Sequence, residues 1–176
     1  QQMVVHGMLD VVIPLFDVSI RQTDGLDTWH PDVLFYEIRD TEAGELIGQF
    51  YLDLYARPKK RGGAWMDECA VRFRTADYMQ TPVAYLTCNF SPPVGDKPAL
   101  LTHDEVETLF HEFGHGLHGL MTQIDYPTFS GVDGPRDYTE FPAQILEHWT
   151  AEPEMLEIYA RHYQTGEVIP SDLVDR

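Results

Sequence analysis

Two periodicities divide this chain. From Asp32 to Phe90 apolar residues come in short runs rich in β-branched and aromatic side chains, Val33–Arg39, Leu46–Tyr55 and Pro82–Phe90, which predict strands. Asp40-Thr41-Glu42-Ala43-Gly44 lies between the first two runs and has the composition of a hairpin loop. A basic, glycine-rich loop, Arg57 to Gly63, follows the second. Ahead of them an apolar stretch, Met3 to Ile20, is broken by Pro14 and predicts a helix to about Val12, then a less regular segment. Near Thr102 the repeat lengthens to 3.6. Thr102-His103-Asp104-Glu105 reads as a capping box, opening a helix to about Gln123 with Val106, Leu109, Phe110, Phe113, Leu117 and Leu120 on its apolar side. A turn-rich loop covers Tyr126 to Pro135. Further helices are predicted over Tyr138–Trp149, with Pro142 in its first turn or kinking it, and from Pro153 to a stop before Gly166. Pro170–Arg176, with Ser171 as N-cap, reads as the start of one more, from which a fragment of a longer protein is expected. No internal repeat is visible.

The expected fold class is α+β: a small antiparallel sheet packed on the helix after Thr102, with further helices behind it. The divisions are residues 1–100, a short helix and antiparallel sheet, and residues 101–176, a helical part, together one core.

Charge narrows the partners. Twelve Lys and Arg stand against 29 Asp and Glu among 176 residues, for a net charge of −17. Phosphate backbones need a broad basic face, so nucleic acid is not an expected partner. No apolar run reaches the ~18 residues of a membrane span, and none is expected to meet a membrane. The N-terminus does not read as a signal peptide. Cys69 and Cys88 lie far apart with no CxxC pattern and are expected to be reduced core residues; a cytoplasmic location is expected.

The chemistry concentrates at His111-Glu112-Phe113-Gly114-His115. Residues four apart on a helix are separated by about 40° around its axis and about 6 Å along it, so both imidazoles can reach one tetrahedral cation. Glu112 beside them can reach a metal-bound water without ligating the metal. A helix carrying incidental histidines is the bland alternative; the capping box and small Gly114 at the bottom of the cleft favour the metal. A catalytic zinc site needs a third protein ligand and an open position. The H-E-x-x-H-x-x-G-x-x-H extension is excluded, because His118 and Met121 stand where it needs Gly and His. Glu140, Glu147 and Glu152 are the candidates for a third ligand, and spacing does not choose among them.

His111–His118, then Phe129-Ser130-Gly131, then Arg136–Gln144 resemble the thimet oligopeptidase family, which includes oligopeptidase A and the peptidyl-dipeptidases. Upstream blocks agree: Trp29–Val33, Phe50–Tyr55, Arg61–Met66 and Lys97–Leu101. The likeness covers nearly the whole chain, although family members are several times longer. It implies a zincin-like core and a zinc-dependent metalloendopeptidase, an oligopeptidase or peptidyl-dipeptidase, acting on short peptides. It places one Zn2+ per chain on His111, His115 and Glu140, with Glu112 as the catalytic residue that activates a zinc-bound water. Glu107 and Asp137, each one turn before a ligand, are the expected carboxylates behind the ligands. His118 is expected to line the cleft or pack. Glu147 and His148 read as packing or surface residues, and Tyr36, Tyr51, Trp65 and Tyr85 as sheet core. Substrate would pair with an edge strand beside the metal, either Pro82–Phe90 or the Gly62–Trp65 segment. The family's intermediate-stabilising His and Tyr would lie beyond Arg176. The alternative is therefore a zinc-binding but inactive fragment needing the remainder of a longer polypeptide.

Overall fold

The computed structural model describes residues 2–174 and has α+β architecture. Helix α1 (Gln2–Phe16) buries Val5, Met8, Leu9 and Val12 and runs through Pro14. It extends a turn beyond the expected end near Val12, because a proline in the last turn removes a single hydrogen bond. Asp17 then turns the chain with a left-handed φ of 52°, and its carboxylate accepts a 2.7 Å bond from the Thr41 hydroxyl. The segment expected to be irregular contains strand β1 (Val18–Gln22).

Strands β2 (Leu34–Asp40) and β3 (Leu46–Tyr55) form the expected hairpin. Its loop closes when Asp40 Oδ1 accepts from the Glu42 and Ala43 amides at 2.9 and 2.6 Å, with Gly44 at φ 69°. Three strands follow: β4 (Trp65–Ala70), and the short pair β5 (Phe73–Arg74) and β6 (Met79–Gln80). Strand β7 (Val83–Phe90) completes a sheet of order β1-β2-β3-β7-β4.

The expectation of an antiparallel sheet is corrected here. β7 runs parallel to β3, while β1–β2, β2–β3 and β4–β7 are antiparallel, so the sheet is mixed. A parallel neighbour needs a crossover. This one is made by the basic loop, β4 and the β5–β6 hairpin instead of a helix, and nothing in local composition marks such a path. β4 escapes the sequence pattern for a related reason: it is an edge strand whose Asp67 and Cys69 point outward. Cys88 is buried as expected but Cys69 is exposed, and both are free thiols.

One sheet face carries Ile38, Phe50, Leu52, Leu86 and Cys88 and meets Leu109, Phe110, Phe113 and Leu120 of helix α2 (His103–Leu120). Phe50 and Phe113 pack edge-on at 5.4 Å. The opposite face carries Phe35, Tyr51 and Tyr85 around Trp29, so of the aromatics assigned to the core only Tyr36 is fully inside it. The capping box of α2 forms as expected: Thr102 Oγ1 accepts from the Glu105 amide and Glu105 accepts from the Thr102 amide at 2.8 Å. The helix stops at Leu120, short of Gln123. Helix α3 (Arg136–His148) begins two residues before Tyr138, passes through Pro142 and ends in a 3₁₀ turn at Trp149–Ala151. Helix α4 (Pro153–Tyr159) ends well before Gly166; the chain there folds back through an Arg161–Val168 bridge. Helix α5 (Ser171–Val174) starts at Ser171 itself, the residue expected to cap it, and the expectation for residues 175–176 lies outside the described residues. No helix among the described residues is long and apolar enough to cross a membrane.

Candidate functional site

The site is set by how closely α2 and α3 approach each other. A Cβ on Gly114 would lie 2.6 Å from the Ala143 Cα and 3.0 Å from the Pro142 carbonyl. Only a residue without a side chain lets the two backbones touch at this point. The crossing brings Glu140, near the start of α3, over the outward face of α2, where His111 and His115 stand one turn apart.

Three ligand-type atoms converge there. His111 Nε2 and His115 Nε2 lie 3.1 Å apart, and each is 3.4 Å from Glu140 Oε2. Bonds of ~2.0–2.1 Å at tetrahedral angles separate neighbouring ligand atoms by roughly 3.3 Å, so the triangle has the size that one zinc ion requires. Two imidazole nitrogens and a carboxylate oxygen converging on one point are a donor set that suits a divalent ion such as zinc. Among the described residues these three form the one group of His, Cys, Asp or Glu placed to hold a metal. Of the other third-ligand candidates, Glu152 sits at the turn before α4 and Glu147 faces a different atom.

That atom is His111 Nδ1, with which Glu147 Oε1 makes a direct hydrogen bond. His115 is held by the Thr139 carbonyl. His111 thus keeps one nitrogen turned toward the cluster and has the other fixed by an acceptor, which selects its tautomer. The expectation that Glu107 and Asp137 play this part is corrected here. Glu107 instead pairs with His103 at 3.6 Å, and Asp137 Oδ1 accepts from the Tyr138 amide. The sequence does carry a signal for Glu147: it follows Glu140 by seven residues, two helical turns, and so shares its face.

Glu112 follows His111 on α2, the helix that packs against β4 and β7. Glu112 is 7% exposed. Burial raises its pKa, and the neighbouring Glu140 carboxylate pushes the same way; His111 and a hydrogen bond from the Met66 backbone amide oppose them. The result is a carboxylate with a raised proton affinity beside the ligands. Burial lowers the pKa of His115, helped by His111 and opposed by Glu140, which keeps the ring neutral and able to ligate. His118 has its Nδ1 buried without a partner and packs edge-on against Tyr138 at 5.4 Å; burial lowers its pKa too.

A cavity of about 450 Å³ opens beside His111 and Glu112, lined also by Ala64, Asp104, Glu107, Thr108 and Glu147. Of the two segments expected to offer a free edge, Pro82–Phe90 is enclosed between β3 and β4, so the edge of the five-stranded sheet beside the site is β4.

A family profile described as peptidase family M3 matches residues 1–176. Oligopeptidase A of Escherichia coli (strain K12) is 53% identical over 174 residues, which cover 98% of this chain and 25% of that protein. The dipeptidyl carboxypeptidase of Salmonella typhimurium (strain LT2) is 45% identical over 171 residues, 97% of this chain and 25% of its own length. A thimet-like oligopeptidase of Dictyostelium discoideum is 36% identical over 179 residues, 99% and 27% respectively. The chain spans about a quarter of the length of these relatives.

Proposed function

Because this chain belongs to peptidase family M3, we propose that it is the catalytic part of a zinc peptidase hydrolysing short oligopeptides, with His111, His115 and Glu140 as metal ligands and Glu112 as the base. The observation that carries this reading is the triangle of ligand atoms, with edges of 3.1, 3.4 and 3.4 Å. Zinc held there would polarise the scissile carbonyl and lower the pKa of water toward about 7.

The chain's own residues supply the rest. Glu112 takes the proton of the attacking water and passes it to the leaving amine, so no acyl-enzyme forms. Its burial keeps the proton affinity high enough for both halves of that transfer. Glu147 and the Thr139 carbonyl hold the two ligand rings. The substrate main chain adds to the free edge of β4, next to Ala64 and the cavity.

A second reading has a specific observation behind it. A groove of about 530 Å³ beside the site is lined by Leu117, Met121, Phe129, Phe141, Ile145 and other apolar residues, and Phe129 and Phe141 are 71% and 62% exposed. With only about a quarter of its relatives' length present, this chain would on that reading bind zinc yet require further polypeptide for turnover.

The test is hydrolysis of a quenched fluorogenic peptide before chelation, after it, and after zinc is restored. Activity that vanishes and returns, and falls at least about 100-fold in Glu112→Gln, supports a self-sufficient core. Stoichiometric zinc without hydrolysis in any condition favours the second reading, and no bound zinc overturns both.

A further inference from the structure

The loop between β3 and β4 is fastened more firmly than its composition suggests. Residues Arg57 to Gly63 are basic and glycine-rich, yet Arg57 donates to both carboxylate oxygens of Asp53 at 2.6 and 2.7 Å, and two further side chains tie the loop to the sheet. Lys60 turns its ammonium inward, where it is 6% exposed. It donates to Asp53 Oδ1 and to the carbonyls of Asp53 and Tyr55 at 2.9, 3.0 and 2.8 Å, and also to the Cys88 carbonyl. The second tie is Asn89. Its side-chain amide nitrogen donates to the carbonyls of Arg61 and Gly63 at 2.7 and 2.6 Å.

Asn89 reaches them because β7 is bulged at this point. Asp53 pairs with Thr87 and Tyr55 with Phe90, so Leu54 alone stands opposite Cys88 and Asn89. An extra residue of this kind re-aims the side chains around it. It also falls past the last β4–β7 pair, Trp65 with Thr87, which leaves Asn89 facing the incoming loop instead of a strand. The loop in turn decides where β4 begins. Ala64 forms a wall of the cavity that His111 and Glu112 also line. Gly63 makes the entry with φ 91°, a backbone that leaves its carbonyl free to accept from Asn89.

We propose that Asn89 is a positioning residue for the base: by gripping the Arg61 and Gly63 carbonyls it fixes the start of β4, and with it the Ala64 wall of the cavity that Glu112 also lines. Asn89 itself touches neither ligand nor cavity. This deepens the proposed function, since it takes Glu112 as the base, but its first readout does not depend on turnover.

The experiment compares the zinc-loaded chain with Asn89→Ala and Asn89→Asp, the latter keeping the size but turning a negative oxygen toward two carbonyls. Backbone hydrogen exchange is followed at Ala64 and Met66 and at core amides of Phe50 and Leu86, together with zinc affinity and, where the unsubstituted chain turns over peptide, kcat and KM. Exchange at Ala64 and Met66 is expected to accelerate about tenfold, as loss of one or two hydrogen bonds implies, with the core amides and zinc affinity unchanged. In the kinetics kcat falls several-fold more than KM rises. Unchanged exchange at Met66, or acceleration spread evenly over core and loop, overturns the proposal. If both variants fail to fold, Gly63→Ala loosens the same loop through its φ alone, since a Cβ there meets nothing within 4 Å; it is expected to give the same local acceleration, and its absence overturns the proposal. A chain that binds zinc but never turns over peptide refutes self-sufficiency while leaving the exchange result to decide the role of Asn89.

Discussion

At the scale of single residues, the side chains that hold a ligand are as informative as the ligands. Glu147 bonds the far nitrogen of His111, so Glu147→Gln keeps the shape while removing the charge that makes the imidazole a stronger donor. Zinc affinity is expected to fall about 10- to 100-fold, with unfolding of the metal-free chain unchanged; competition with a chromogenic chelator measures the first and urea titration the second. Asp53 gives a pH dependence of stability. Burial of this carboxyl would raise its pKa, but hydrogen bonds from Arg57, Lys60 and Trp29 and the charge of Lys60 outweigh it, holding the pKa at about 2 against an ordinary 3.8. A folded-state pKa below the unfolded one stabilises the protein above the unfolded value, and that contribution is lost as pH falls from about 4 to 2. It amounts to about 2 kcal/mol. Urea unfolding followed from pH 5 to pH 2 should therefore show a steep loss for the unsubstituted chain and a flatter one, from a lower start, for Asp53→Asn.

At the scale of elements, the decisive event is the crossing of α2 and α3. Each helix is readable in its own sequence, α2 from its capping box and apolar stripe, α3 less well because Pro142 sits inside it. Their contact depends on Gly114, whose missing Cβ lets the Ala143 backbone approach. Gly114→Ala is expected to force the helices apart, costing about 1–3 kcal/mol and weakening zinc binding, because Glu140 moves away from the two histidines. Thermal unfolding and zinc titration check the two effects, and a variant with unchanged zinc affinity would show that the crossing does not set the ligand triangle. The same scale explains what the strand pattern misses. Alternation marks β2 and β3 well, but β4 is an edge with outward Asp67 and Cys69, and the parallel placement of β7 comes from a crossover through irregular chain.

At the scale of the whole molecule, zinc in the proposed site ties α2 to α3. His111 and His115 come from one helix, Glu140 from another, and unfolding separates them, so an ion that binds the folded arrangement stabilises it by mass action. Zinc at about 1,000 times its Kd is expected to add roughly 4 kcal/mol, seen as a rise in Tm that chelator reverses and that Glu140→Ala abolishes. The two histidines and the glutamate between them are legible in the amino-acid sequence alone, because helical spacing fixes how residues 111, 112 and 115 stand relative to one another. The resemblance of Arg136–Gln144 to a known family adds Glu140, which spacing does not separate from Glu147 and Glu152. Periodicity also suffices for the capped helix, the hairpin and the α+β class. Tertiary structure decides the rest: that β7 lies parallel to β3 and leaves β4 as the edge, that Glu147 and not Glu107 supports His111, and that Glu112 is buried beside the ligands. Local sequence reports the conformation of a segment and the face it presents, through backbone sterics and burial of its apolar side. Which segment meets that face is settled by packing among residues tens of positions apart, and here it turns on the absence of a single Cβ at Gly114.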